Sequence, residues 1–144
     1  MKDRGCGALR AVRAGATYDG TSESIAAARY FATRFVTQLH DSHGVAPERE
    51  AIGSLQLVVS ELITNACKFA PGPMSLDLEF AGGKLEITVS DTSTTMPVVM
   101  AADPGRVGQH GLEIVRAVCD GFDVQREPAG KRIRVLLPLR AAIT

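Results

Sequence analysis

The spacing of apolar side chains changes along the chain, and the changes mark out its elements. Ile25, Ala28, Phe31, Ala32, Phe35, Val36 and Leu39 recur at intervals of three and four as far as His40, which predicts a helix with one buried face. Ser22 precedes this run as a candidate N-cap, with Glu23 after it. Residues 41–47 interrupt the pattern. Pro47 suits the first turn of a second helix, whose apolar pattern runs from Ile52 to Ala70. Pro71-Gly72-Pro73 stops it. Beyond that stop the period falls to two. Leu76, Leu78 and Phe80 alternate with polar residues, as do Leu85, Ile87 and Val89, with glycines between the two runs, so residues 75–90 read as a hairpin with one apolar face.

Residues 92–110 have no clear period and contain Pro97, Pro104, Gly105 and Gly108. A loop of that length inside a compact domain is usually functional or mobile. A third helix is expected from Gly111 to about Cys119, with Leu112, Val115 and Val118 inward. Phe122 and Val124 begin another strand, Pro128-Ala129-Gly130 makes a turn, and Ile133, Val135 and Leu137 form the last strand. At the other end, weak alternation through Leu9, Val12 and Ala14 predicts a short edge strand after a frayed segment of about fifteen residues. Helices on one face of a mixed, mostly antiparallel sheet satisfy every apolar stripe. The expectation is an α+β two-layer sandwich forming one domain over residues 1–144.

Composition narrows the function more by exclusion than by suggestion. The chain has 144 residues, 45% apolar and 22% charged, enough to bury a substantial core. Sixteen basic residues balance sixteen acidic ones, so no bulk field favours nucleic acid or an anionic membrane, and any anionic ligand must be held by local geometry. Cys6, Cys67 and Cys119 have no metal-ligand spacing, and their odd number argues against a disulfide framework. Cys67 and Cys119 fall in apolar helical contexts as reduced core residues. No apolar run reaches membrane-spanning length and no signal-peptide core is visible, which fits a cytoplasmic protein.

Three stretches carry candidate chemistry. On the second helix Glu61, Asn65 and Lys68 lie at i, i+4 and i+7, along a stripe opposite Leu55, Val59, Leu62, Ala66 and Phe69. Such a stripe is either a solvated face or a site. As a site, Asn65 is a neutral oxygen ligand suited to Mg²⁺, and Glu61, one turn earlier, could position or deprotonate an attacking hydroxyl or water. Asp91 ends a strand. It is either a turn-former or a carboxylate that accepts an exocyclic amine such as that of adenine, with Ser93 and Pro97 following it. Gly108-Gln109-His110-Gly111-Leu112 opens the third helix. Its glycines would let the backbone approach a phosphate at a helix N-terminus, and His110 is either a loop residue or a phosphate contact.

In order and type these stretches resemble the histidine-kinase-like ATPase superfamily, over about residues 55–138. The most similar branch is that of small bacterial anti-sigma-factor serine/threonine kinases, with E-L-x-x-N-A-x-[KR]-H, then D-x-[GS]…P, then G-x-G-L-x-[IL]-V. Here these read Glu61-Leu62-Ile63-Thr64-Asn65-Ala66-Cys67-Lys68-Phe69, Asp91-Thr92-Ser93 with Pro97, and His110-Gly111-Leu112-Glu113-Ile114-Val115. The resemblance implies the Bergerat-type ATP-binding fold, with ATP and Mg²⁺ as cofactors. Asn65 would hold the metal that bridges the phosphates, and Glu61 would be the general base. Asp91 would take the adenine amine, and Gly108 and Gly111 would lie against the phosphates. Residues 92–110 would form an ATP lid.

The implied activity is phosphorylation of a small anti-sigma antagonist of the STAS type, with a sigma factor as the second partner and a homodimer as a common assembly. Alternatives are a non-catalytic partner-binding module of the same fold, the ATP-binding half of a sensor histidine kinase, and a globular domain with no nucleotide site. The chain departs from the family pattern at three places. Phe69 stands in place of a His, His110 in place of a frequent Gly, and Arg132 in place of a Thr that supports the adenine site.

Overall fold

The computed structural model describes residues 11–44, 47–69, 72–92 and 110–139. The elements run β1 (Val12–Tyr18), α1 (Glu23–His43), α2 (Arg49–Phe69), β2 (Met74–Ala81), β3 (Lys84–Asp91), α3 (His110–Val118), β4 (Gly121–Glu127) and β5 (Gly130–Pro138). The strands form one sheet in the order β1-β2-β3-β5-β4. All four pairings are antiparallel, rather than mixed as the sequence suggested. The path of the chain explains this. Two helices between β1 and β2 carry the chain out and back, so β2 starts where β1 ends, with Tyr18 opposite Met74. The other directions follow from the β2–β3 and β4–β5 hairpins and the return through α3.

Alternation decides what faces the helices. Leu76 and Leu78 on β2, Leu85, Ile87 and Val89 on β3, and Ile133, Val135 and Leu137 on β5 are all buried. α2 lies between α1 and α3 and crosses β3 and β5, while α1 reaches β1. This is the expected two-layer α+β sandwich. Leu55, Val58, Val59, Leu62 and Ile63 of α2 are all 0% exposed. Burial of each such side chain contributes roughly 1.5–3 kcal/mol, so the rotation of α2 about its axis is fixed.

Several boundaries moved for local reasons. α1 continues to His43, three residues beyond the expected His40, and stops at Gly44, whose φ of 70° makes a left-handed cap with its N–H on the carbonyl of His40. Ser22 holds the N-cap position, but its side chain makes no capping bond. Asp19 supplies the acceptor instead, taking the N–H of Thr21 at 3.0 Å, the Thr21 hydroxyl at 2.9 Å and the Ser24 hydroxyl at 3.1 Å. These bonds, the backbone one foremost, hold the Asp19 carboxyl below its ordinary range. Pro47 precedes α2 by two residues instead of standing in its first turn.

One end of the sheet is built by close backbone approach. A Cβ on Gly130 would overlap the carbonyl oxygen of Asp91 and lie 2.7 Å from the Cα of Thr92. A Cβ on Gly20 would likewise overlap the backbone of Gly72, and a Cβ on Gly72 would stand 3.5 Å from the Thr92 hydroxyl. The β1–α1 connection, the segment after α2, the exit of β3 and the start of β5 therefore converge at one place. Gly130→Ala is expected to cost roughly 2 kcal/mol or more and to lower Tm by about 8 °C. Thermal unfolding followed by circular dichroism checks this, and an unchanged Tm would contradict the packing.

Candidate functional site

Topology alone brings the first two candidate stretches to that same end. α2 finishes at Phe69, five residues before Met74 opens β2, and Ser75 pairs with Ser90 one step from the exit of β3. Asn65, about one turn from the end of α2, and Asp91, the last residue of β3, thus share one end of the sandwich. α3 ends at Val118 and leads to Gly121, which pairs with Leu136 near the opposite edge of β5. The end of α3 therefore lies at the far end of β5 from Lys131, and its body packs against α2.

The expected solvent-facing stripe of α2 is corrected in one respect. Lys68 is exposed and Glu61 half-buried, but Asn65 is buried, at 7% exposure. The reason is the width of the apolar arc. Val58 and Ile63 are buried alongside the anticipated Leu55, Val59, Leu62 and Ala66, so the arc reaches round to Asn65, three residues past Leu62. The Asn65 Oδ1 has no hydrogen-bond partner among the described residues. A buried amide oxygen without a partner costs about 1–3 kcal/mol. It is the kind of atom that a cation or ordered water completes. From α1, Arg29 reaches the hydroxyl of Ser60, the residue before Glu61, at 3.3 Å.

Asp91 is not a solvent-exposed turn residue. It continues the inward alternation Leu85, Ile87, Val89 and is 7% exposed. Directly opposite it in register, Lys131 continues the inward series Ile133, Val135, Leu137 and is 1% exposed. The Lys131 Nζ stands 2.8 Å from Asp91 Oδ2, with both side chains only 1% exposed. Two apolar stripes on neighbouring strands thus end in one buried ion pair. Sequence reasoning missed Lys131, although its place two residues before Ile133 marks it as inward-facing. The emphasis on Arg132 is corrected by the same alternation. Its side chain belongs to the other face, where it pairs with Glu127 at 3.1 Å.

Ser93, Pro97, Gly108 and Gln109 lie outside the described residues, as does most of the expected lid over 92–110. His110, Gly111 and Leu112 are described only as the helical start of α3, and Phe69 only as the end of α2. Among the described residues no cluster of three or more His, Cys, Asp and Glu could hold a metal ion. Cys67 and Cys119 are free and half-buried. Burial, more than the nearby Asp120, pushes the Cys119 thiol up to about 11, and burial raises Cys67 as well, with Asp19 adding to it. Neither is a poised nucleophile.

Breaking a buried pair leaves an uncompensated charge. Lys131→Met is therefore expected to lower stability by about 3 kcal/mol, while the double variant Asp91→Asn/Lys131→Met regains much of that loss. Urea denaturation of the single and double variants measures this coupling, and additive losses would contradict the pairing.

Comparison with known proteins places the fold in a family. The profile described as the histidine kinase-like ATPase domain matches residues 20–137. No curated protein matches the chain. Among solved structures, the RsbU and RsbW domains of Rv1364c from Mycobacterium tuberculosis are similar at 16% identity with a TM-score of 0.67, over 92% of this chain and 34% of that one. The histidine kinase domain of the blue-light-activated histidine kinase EL346 from Erythrobacter litoralis matches at 26% identity with a TM-score of 0.47, over 62% of this chain and 45% of that one. The chain thus spans about a third to a half of the length of these structures. With the profile match covering most of its length and the sandwich in place, the chain belongs to the histidine kinase-like ATPase domain family.

Proposed function

We propose that the chain binds ATP with Mg²⁺ at the end of the sandwich where α2, β3 and β5 meet, and transfers the γ-phosphoryl group to a serine or threonine of a small partner protein. The observation that carries this reading is the buried Asn65 Oδ1, an unpartnered oxygen among the described residues, on a helix whose rotation is fixed. Asn65 would hold the metal, and the metal, when bound, would neutralise phosphate charge. Glu61, one turn back and half-buried, is placed on the same helix to accept the proton of the attacking hydroxyl. Asp91 belongs to the base subsite. The backbone at the start of α3 offers N–H groups to the phosphates, and residues 92–110 would close over them.

The partners in this reading are a STAS-type anti-sigma antagonist as substrate and a sigma factor as the protein held in alternation with it, in the cytoplasm, with the kinase as a homodimer. The likeness to a structure containing an RsbW domain supports this direction. No helix among the described residues is long and apolar enough to cross a membrane. A second reading, a partner-binding module that transfers no phosphate, is favoured by one observation. Asp91, the residue assigned to the base, is already engaged by Lys131.

Incubation with labelled ATP and a panel of small STAS-type proteins, alongside ATP titrations, separates these readings. Asn65→Ala is expected to weaken Mg·ATP binding roughly ten-fold or more, since even outer-shell metal partners are worth about 10–100-fold, while binding of metal-free ATP changes little. Glu61→Ala should keep ATP binding and lose about 10²–10⁴-fold in phosphotransfer. Wild-type protein that binds its partner but labels nothing would favour the module, and an indifferent Asn65 would remove the metal role.

A further inference from the structure

The Asp91–Lys131 pair has a consequence for what the site can recognise. A carboxylate that reads a purine does so by accepting hydrogen bonds from an exocyclic amine, a neutral donor. In this chain a donor is already there. The Lys131 ammonium lies 2.8 Å from Asp91 Oδ2. Charge-assisted hydrogen bonds of this kind are roughly twice as strong as those between neutral groups. The two side chains are 1% exposed, so the carboxylate presents almost no surface to an incoming base. Nor is the contact a loose one. The two residues face each other across the β3–β5 ladder, and Gly130 holds the start of β5 so close to Asp91 that a Cβ there would overlap its carbonyl oxygen. The lysine is buried at the end of the apolar stripe formed by Ile133, Val135 and Leu137.

We infer that Lys131 is a specificity-determining residue that occupies the donor position on Asp91, so that the chain grips a nucleoside triphosphate by its phosphates and scarcely reads the 6-amino group of the base. This rests on the proposed nucleotide site. It adds that the ligand class is nucleoside triphosphates in general, with ATP favoured by abundance over recognition. Because the carboxylate is buried with its ammonium, a neutral amine could reach it only by opening the packed pair, which weakens a desolvated ion pair and is costly. Replacing Lys131 by a small hydroxyl side chain removes the competitor, opens volume beside Asp91 and restores the carboxylate as an acceptor.

The test compares Mg·ATP with the Mg²⁺ complex of purine riboside triphosphate, which lacks the 6-amino group, by calorimetric titration of the full chain. Wild-type protein is expected to bind both with Kd values within about two-fold. Lys131→Thr is expected to prefer ATP by about ten-fold, roughly the worth of one well-made hydrogen bond in a buried site. The wild-type comparison stands even where the variant does not fold. A wild-type preference for ATP of ten-fold or more would overturn the inference. So would a folded Lys131→Thr protein that still binds both alike, and in either case the nucleotide reading survives if Asn65→Ala selectively weakens the magnesium complexes. Absence of nucleotide binding by both proteins would overturn the inference and that reading together.

Discussion

A helix buried along most of its length must account for every polar atom it carries inward, and that constraint organises this molecule. α2 is fixed by side chains that expose no surface, so the position of Asn65 is not negotiable. Its amide can neither turn to solvent without rotating the helix nor be removed without loss of whatever it serves. The cost of an unpartnered amide oxygen, about 1–3 kcal/mol, is comparable to what a single buried Val or Leu contributes. In the proposed reading that cost is offset when a bound ion supplies the missing partner.

The same end of the sandwich holds the other polar elements by different means. Asp91 and Lys131 are brought together by strand register, and their mutual attraction offsets part of the cost of taking both from water. Backbone contact at Gly130 and at the Gly20–Gly72 crossing sets how closely the segments approach. Antiparallel order throughout the sheet is what puts the end of α2, the exit of β3 and the start of β5 on one side. The gathering of these polar groups at one end is therefore a product of topology as much as of residue choice.

Much of this was legible in the sequence. The changes in apolar period located both hairpins and all three helices, because period is dictated by which face is buried. The candidate residues Glu61 and Asn65 stood out as a polar stripe on an otherwise apolar helix, and Asp91 as a carboxylate ending a strand. What the sequence did not disclose depends on contacts between distant segments. Asn65 was placed on a solvent face because the width of the buried arc of α2 is set by α3 and the sheet, not by α2 itself. Asp19 gathers Thr21 and the Ser24 hydroxyl ahead of α1, while Ser22 makes no side-chain capping bond, a geometry that no spacing rule reports. Only the register with β3 identifies which of the adjacent Lys131 and Arg132 meets Asp91.

The central claim, that these segments form one site for a nucleotide and a divalent ion, is most directly tested by paramagnetic relaxation with Mn²⁺·ATP in place of the magnesium complex. With the chain labelled with ¹⁵N, broadening is expected first at the Asn65 side-chain amide, with Thr92 and Gly130 affected next and the far ends of β3 and β5 left sharp. Uniform weak broadening, or a response centred on the opposite face of the sheet, would contradict it.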